Sequence, residues 1–348
     1  MDGHRLDLSR EGRAIETLII TQEEVKRLLP MRQCIDAVRS ALLELDAGEA
    51  LQPLRPVMWL PEHVGALGMM PGYSASHGMI GVKTITVFPG NAGTEFDSHQ
   101  GTVMLFDDEH GRLLAIIDAT EITAVRTAAA SAVATDALAR PESSVLAILG
   151  SGVQARSHIT AMSAVRPVRH VTVWSRNRNH AAALVASVAP EYPDLTFEVA
   201  ASVADAVAGV DIVCTATAST EPVLRGDLLE PGMHINAVGS SVPFARELDG
   251  PAMARSMLFV DRTESTRNEA GDFLMAIEEG FIDGDHIVAE VGALLSGNHP
   301  GRGSLDEITL FESLGLAVED IAAASVVYEN AKATGMGTSI AIGGLRHV

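Results

Sequence analysis

The chain has 348 residues, 47% of them hydrophobic, which gives room for about two domains of roughly 150 residues and for a large core. Lys+Arg number 25 against 45 Asp+Glu, a formal net charge of −20. A field of that sign repels nucleic acid and anionic lipid, which excludes both as expected partners, and an anionic substrate needs a local cationic pocket.

The N-terminal "MDGHRLDLSREGRAIETLII" contains no uninterrupted apolar stretch, and its first dozen residues read as a loose polar extension. No segment approaches the ~20 apolar residues of a membrane span, so the expectation is a soluble, cytoplasmic protein. In "TQEEVKRLLPMRQCIDAVRSALLELDAGEA", Thr21 as N-cap and Glu24 form a capping-box pattern. Pro30 divides the helical spacing that follows into two helices. From about residue 52 to 117, runs such as "RPVMWLP", "MIGVKTITVFPG" and "GTVMLFDDEHGRLLAIID" are separated by Gly, Pro and Asp-rich turns. They predict strands of a sheet or open barrel. "TEITAVRTAAASAVATDALA" predicts an Ala-rich helix.

At "SSVLAILGSGVQARSHITAMSAV" the pattern becomes strand, Gly turn, helix. It continues through "HVTVWSRN", "NHAAALVASVA", "FEVAA", "VADAVAG", "VDIVCTATA", "MHINAVG" and "SMLFVDR". This alternation predicts an α/β fold with a doubly wound parallel sheet. "EDIAAASVVYENAKAT" predicts a last helix that packs back on the first domain. The expected division is an α+β domain of residues 1–126 together with 316–348, and a dinucleotide-type domain of 127–315. Cys34 and Cys214 lie far apart without CxxC or Cys/His spacing, which points to two buried free thiols and to no metal site.

"AILGSGVQARSH" carries the strongest local signal. Gly150 and Gly152 follow an apolar strand and open a helix, with Ala155 in the third small position. Glycines allow the tight turn and the close approach of backbone to a pyrophosphate, which the helix N-terminus then receives. Gly-rich turns also occur without a ligand, but the further βα units favour a nucleotide. The second strand ends in Ser175, Arg176 and Asn177, where an NAD enzyme usually carries an acid for the ribose. With none there, Ser175, Arg176 and Arg178 can hold a 2′-phosphate, and NADPH is favoured over NADH. The plainer reading is a solvated loop.

Arg55, Lys83 and Arg126 stand among apolar residues, where a cation needs a partner or a ligand. Converging, they would clamp a carboxylate; taken singly, each reads more readily as a satisfied structural cation. "DSHQGTV" offers Ser98 and His99, with a structural reading in front. "GMHINAVGSSVPFAREL" presents a strand end with Ser240 and Ser241 and no carboxylate at its tip.

These elements, in this order, resemble the ornithine cyclodeaminase/mu-crystallin family. The resemblance runs from about residue 18 to 333 and rests on "MMPGYS", "GVKTITVFPGN", "SHQGTVMLFD", "ITAVRTAAASAVAT", "ILGSGVQARSH", "INAVGSS" and "SLGLAVEDIAAA". It implies a homodimer with a Rossmann domain and a second domain for substrate binding and dimerisation. It places Arg55, Lys83 and Arg126 at the substrate carboxylate and Gly152, Val153 and Gln154 at the diphosphate. Ser98, His99, Thr217, Val238 and Ser313 fall near the nicotinamide or ribose, with Arg126 and Gly239 close to the cofactor. Relatives that work on free amines carry Asp where this chain has Ser241. Mu-crystallin-like ketimine reductases also have Ser there.

A serine hydroxyl does not ionise near neutral pH, so it can orient a substrate but replaces a carboxylate base poorly. The resemblance therefore implies NAD(P)H-dependent reduction of a small anionic imino acid, such as a five- or six-membered cyclic ketimine carboxylate. Lys83, Arg126 and Ser241 are the expected catalytic groups. NADP(H) is favoured and NAD(H) remains open. The alternatives are an ornithine cyclodeaminase-type lyase, an open-chain amino acid dehydrogenase, and an NADPH-regulated small-ligand binding protein.

Overall fold

A computed structural model describes residues 16–91 and 93–343. The polar extension expected in the first dozen residues lies outside them. Strand β1 (Glu16–Ile20) leads into helices α1 (Gln22–Leu28) and α2 (Met31–Asp46). The Glu24 carboxylate accepts the Thr21 backbone N–H at 2.9 Å, and Pro30 is the N-cap of α2, as the capping box and the proline predict. On α2, Cys34, Ile35, Val38, Ala41 and Leu42 are buried, a stripe at helical spacing that faces the core.

Strands β2 (Ala50–Leu51), β3 (Val57–Trp59), β4 (Ala66–Ser74), β5 (Met79–Val87), β6 (His99–Asp107) and β7 (Leu113–Asp118) follow. The last four form an antiparallel meander. It is an open sheet; the alternative of a barrel is not realised. Side chains alternate faces along a strand, and this places Lys83 on the inward face of β5 with Met79 and Ile85. Helix α3 (Ala119–Leu138) is apolar around its whole girth and accordingly buried on most sides. It runs on past residue 126 toward the second sheet.

That sheet is built from β8 (Val145–Leu149), β9 (His170–Trp174), β10 (Thr196–Val199), β11 (Ile212–Thr215), β12 (His234–Ala237), β13 (Met257–Val260), β14 (Ile287–Glu290) and β15 (Thr309–Glu312). The intervening helices are α4 (Val153–Val165), α5 (Arg178–Val188), α6 (Val203–Val207), α7 (Gly250–Ala254), α8 (Thr263–Glu269), α9 (Gly271–Glu278) and α10 (Val291–Leu295). All its pairs are parallel, in the order β10-β9-β8-β11-β12-β15-β13-β14. The order reverses between β8 and β11, and a crevice opens at such a point beyond the strand C-termini. The fold is thus α/β with a Rossmann-type doubly wound parallel sheet.

Helix α11 (Ala317–Thr334) returns to the first sheet. Gly72 and Gly81 make room for it: a Cβ on Gly81 would lie 2.5 Å from Ile321 Cγ1. Gly335 ends the helix in the left-handed conformation at φ 69°, a conformation glycine adopts without strain. A strand that the sequence reading did not anticipate, β16 (Thr338–Ala341), then pairs antiparallel with β1. Cys34 and Cys214 are buried and free; burial raises both thiol pKa values, that of Cys214 to about 12.

Candidate functional site

A cleft of about 1090 Å³ opens where β8 and β11 part. Gly150 has φ 140° and a Cβ there would strike the Ala216 carbonyl, so only glycine permits this turn. Gly152, the N-cap of α4, faces open space with no atom within 4 Å of a built Cβ. The first backbone N–H groups of α4, from Val153 and Gln154, have no intrahelical acceptor. Size, glycine turn and exposed helix end fit a dinucleotide, whose diphosphate would sit on Gly152, Val153 and Gln154.

The second strand end lies on the same cleft wall with Ser175, Arg176 and Asn177. Ser151 donates to or accepts from Ser175 between their hydroxyls at 2.9 Å, and Asn177 caps α5 by accepting the Asn179 N–H. Arg176 and Arg178 are exposed and make no ion pair among the described residues; Arg178 is not on the cleft wall. Across the cleft stand Ser98 and His99, whose Oγ and Nδ1 are 3.0 Å apart. His99 keeps an accessible edge, yet enough protein surrounds it that desolvation, with the nearby Lys83 charge, lowers its pKa against the opposing pull of Asp97.

Thr123, on the cleft wall, leads inward: its hydroxyl lies 3.5 Å from Lys83 Nζ. Lys83 and Arg126 meet there on one carboxylate. Asp320 Oδ1 accepts Lys83 Nζ at 2.9 Å and Arg126 Nε at 2.9 Å. Glu319 Oε2 accepts Arg126 Nη1 at 2.8 Å. Burial pulls the Lys83 pKa down to about 8, with Asp320 opposing. Burial also works against the Arg126 charge, but Asp320 and Glu319 outweigh it and hold its pKa above the usual value. The Glu319 carboxyl is raised to about 7, by burial against the pull of Arg126.

Arg55 joins the same region from a loop. It donates to the Ser241 carbonyl at 2.7 Å and the Leu314 carbonyl at 3.1 Å, and pairs with Glu269 at 2.8 Å. Gly315, next to Leu314, lies against the Arg126 guanidinium. The three sequence-flagged cations therefore share one neighbourhood, and each also has an acidic partner.

The strand end "NAVGSS" needs a correction. Its tip bears hydroxyls, but carboxylates are buried behind it, that of Glu247 from eight residues beyond Gly239 and those of Asp272 and Glu312 from other elements. Glu247 accepts N–H groups of Thr217 and Gly239, both at 2.6 Å, and the Thr215 hydroxyl at 2.7 Å. Ser240 donates to Glu312. Asp272 accepts the N–H groups of Glu247 and Leu248. Burial raises the pKa of Glu247, Asp272 (to about 7) and Glu312, and their mutual repulsion adds to the rise in Asp272 and Glu312. Val238 donates to the Thr215 carbonyl. Ser313 donates its N–H to Ala237 while its hydroxyl is buried without a partner. Thr217 lines the cleft, whereas Val238, Gly239, Ser313 and Arg126 do not.

Sequence reasoning missed Thr123, Glu247, Glu269, Asp272, Glu312, Glu319 and Asp320. The rule that marked cations among apolar residues applies equally to "LGLAVEDIAAA", and would have found the last two. Among the described residues, no group of three or more His, Cys, Asp or Glu could hold a metal ion, and no helix is long and apolar enough to cross a membrane.

Comparison with known proteins places this geometry among relatives. The model of the ornithine cyclodeaminase/mu-crystallin family matches residues 15–335. The ketimine reductase mu-crystallin of Mus musculus is 42% identical over 283 residues, 81% of this chain and 86% of that one. The Thermococcus litoralis Delta(1)-pyrroline-2-carboxylate reductase, solved in complex with NADH and L-proline, superposes with TM-score 0.91 at 36% identity, covering 93% of this chain and 100% of that one. An archaeal alanine dehydrogenase dimer with bound NAD gives TM-score 0.88 at 33% identity, covering 93% and 99%.

Proposed function

The chain belongs to the ornithine cyclodeaminase/mu-crystallin family, and from that premise we propose that it is a nicotinamide-dependent oxidoreductase reducing the C=N bond of a small cyclic imino acid. The observation that carries this reading is the buried Lys83–Asp320–Arg126 constellation, joined through Thr123 to a dinucleotide-sized cleft. When bound in the cleft, the reduced cofactor supplies a hydride. The residues of the chain do the rest. Arg55, Lys83 and Arg126 hold the substrate carboxylate, and Ser241 orients the imine nitrogen. Lys83 gives that nitrogen a proton: with its pKa near 8, it is charged at neutral pH and is a better acid than an ordinary lysine. A C=N bond, one hydride and one proton give CH–NH, the amino acid.

NADPH is the favoured cofactor, supported by Ser175 and Arg176 on the cleft wall, the latter with no ion pair among the described residues, and by the absence of an acid at that strand end. The solved relatives hold NADH and NAD, so NADH is the alternative. Residues 1–126 with 316–348 act as the substrate and dimerisation half and 127–315 as the cofactor half. A homodimer agrees with exposed Met58, Met69 and Ile80 on β3, β4 and β5, which the strand register puts on one side of the sheet, an apolar face that water disfavours. Ser241, in place of an acid, speaks against the lyase. Turnover of cyclic and acyclic imino acids with each cofactor, beside an ammonia assay on ornithine, tests the reading. Ammonia from ornithine without net cofactor consumption contradicts it.

A further inference from the structure

Thr217 stands on the cleft wall, and Gly239 packs directly against it: a Cβ on Gly239 would collide with the Thr217 carbonyl. Neither residue belongs to the sheet ladder, because β11 ends at Thr215 and β12 at Ala237. One side chain ties the two loops together. Glu247 Oε1 accepts the Thr217 N–H at 2.6 Å, and Oε2 accepts the Thr215 hydroxyl at 2.7 Å, the Gly239 N–H at 2.6 Å and the Val238 N–H at 3.3 Å. Glu247 is fully buried. Asp272 holds its backbone in turn, accepting the N–H groups of Glu247 at 2.8 Å and Leu248 at 2.9 Å.

We infer that Glu247 is a positioning residue: it fixes the Thr217 and Val238–Gly239 backbones at the cofactor end of the cleft without touching cofactor or substrate. The inference rests on the proposed function for what the cleft holds. The chemistry calls for a carboxylate. Four donors converge on two oxygens, and an ionised carboxylate is acceptor-only. A carboxamide has one acceptor oxygen and would turn its own N–H groups toward the N–H of Gly239 or Thr217. One of these loops then has to move.

The test is Glu247→Gln in the full-length protein, read three ways. Cofactor binding is followed by nicotinamide fluorescence without substrate, turnover by steady-state kinetics, and folding by circular dichroism and melting. Since a displacement of about 1 Å near the chemistry can cost about 100-fold, kcat should fall by about that factor. The cofactor dissociation constant should rise about tenfold, while KM for the imino acid stays within about twofold. A folded variant with wild-type kcat and cofactor affinity overturns the inference, as do losses that vanish when normalised to the folded fraction. If Glu247→Gln does not fold, Thr215→Val removes one donor and keeps the side-chain shape. It should show the same pattern more weakly; a lower melting point with binding and kcat untouched overturns the inference. The binding comparison needs no substrate, so a wild-type protein inactive on imino acids would sink the functional reading and still leave Glu247 tested.

Discussion

Lys83 and Asp320 meet across 237 positions of sequence, the lysine on the inner face of β5 and the aspartate on α11, with Nζ 2.9 Å from Oδ1 and both side chains buried. Asp320 raises the Lys83 pKa against the larger effect of burial, leaving it near 8. If Lys83 supplies the proton, kcat/KM should fall as pH rises through about 8, because the donor is then lost. In Asp320→Asn the alkaline limb should move to lower pH, since burial is left unopposed. Lys83→Arg keeps a cation but no accessible proton near neutrality, and should lose about 10²–10⁴ in kcat. An unchanged alkaline limb in Lys83→Arg would remove Lys83 from this role.

Of the three residues proposed to clamp the carboxylate, Arg55 can be altered with least damage to the core. It is only partly buried, and its ion pair is with Glu269. Arg55→Met should raise KM for the imino acid by roughly 10–100-fold, the loss expected when a charge-assisted contact of ~1.5–3 kcal/mol is removed, with a smaller effect on kcat. Cofactor affinity should not change. Steady-state kinetics with each ligand varied in turn checks this; an unaltered substrate KM would take Arg55 out of the clamp.

The fold and the cofactor turn were far more legible in the sequence than the centre of the site. Gly150-Ser151-Gly152 declares itself because strand, turn and helix signals are adjacent, and Lys83 stands out as a cation among apolar residues. The pairing of Lys83 and Arg126 with Asp320 and Glu319 joins segments some two hundred positions apart, and spacing carries no information about such a meeting. Glu247, eight residues beyond Gly239, escaped notice as well, as did Asp272 and Glu312 farther along the chain. Glu247 lies in a loop, Asp272 in the first turn of α9 and Glu312 at the end of β15, and only the folded chain brings them behind "NAVGSS". Strand β16 was illegible because four residues after two glycines give too short a run for alternation to register.

The buried acids make stability fall as pH rises. Asp272 has a folded pKa of about 7 against an ordinary 3.8. The folded state therefore binds more protons between these values. Its contribution is complete below about 3.8 and is lost as pH climbs through about 7, at up to ~1.4 kcal/mol per unit. Glu319, also raised to about 7, acts in the same direction. Melting temperature should thus be lower at pH 8 than at pH 6. Asp272→Asn retains an acceptor for the Glu247 and Leu248 N–H groups and removes a charge facing Glu312. It should flatten the dependence and match or exceed wild-type stability at pH 8. A melting point that rises from pH 6 to 8 would contradict the assignment.

If NADPH is the preferred cofactor, Ser175→Asp should reverse that preference. A carboxylate there would face a 2′-phosphate, and like charges brought together cost several kcal/mol. A fall of at least ~100-fold in kcat/KM for NADPH follows. NADH should be used as well as before or better, because an acid at this position suits ribose hydroxyls. Comparable losses for both cofactors would mean that Ser175 does not sit at the 2′ position.

The most direct test of imino acid reduction is to follow the hydride. Cofactor deuterated at the transferring carbon, incubated with a cyclic ketimine carboxylate and the protein, should yield the cyclic amino acid with a single deuterium on the α-carbon, in step with cofactor oxidation. Mass spectrometry and proton NMR read both quantities. Cofactor oxidation without α-deuterium, or ammonia release from a diamino acid with the label retained on the cofactor, would contradict the account.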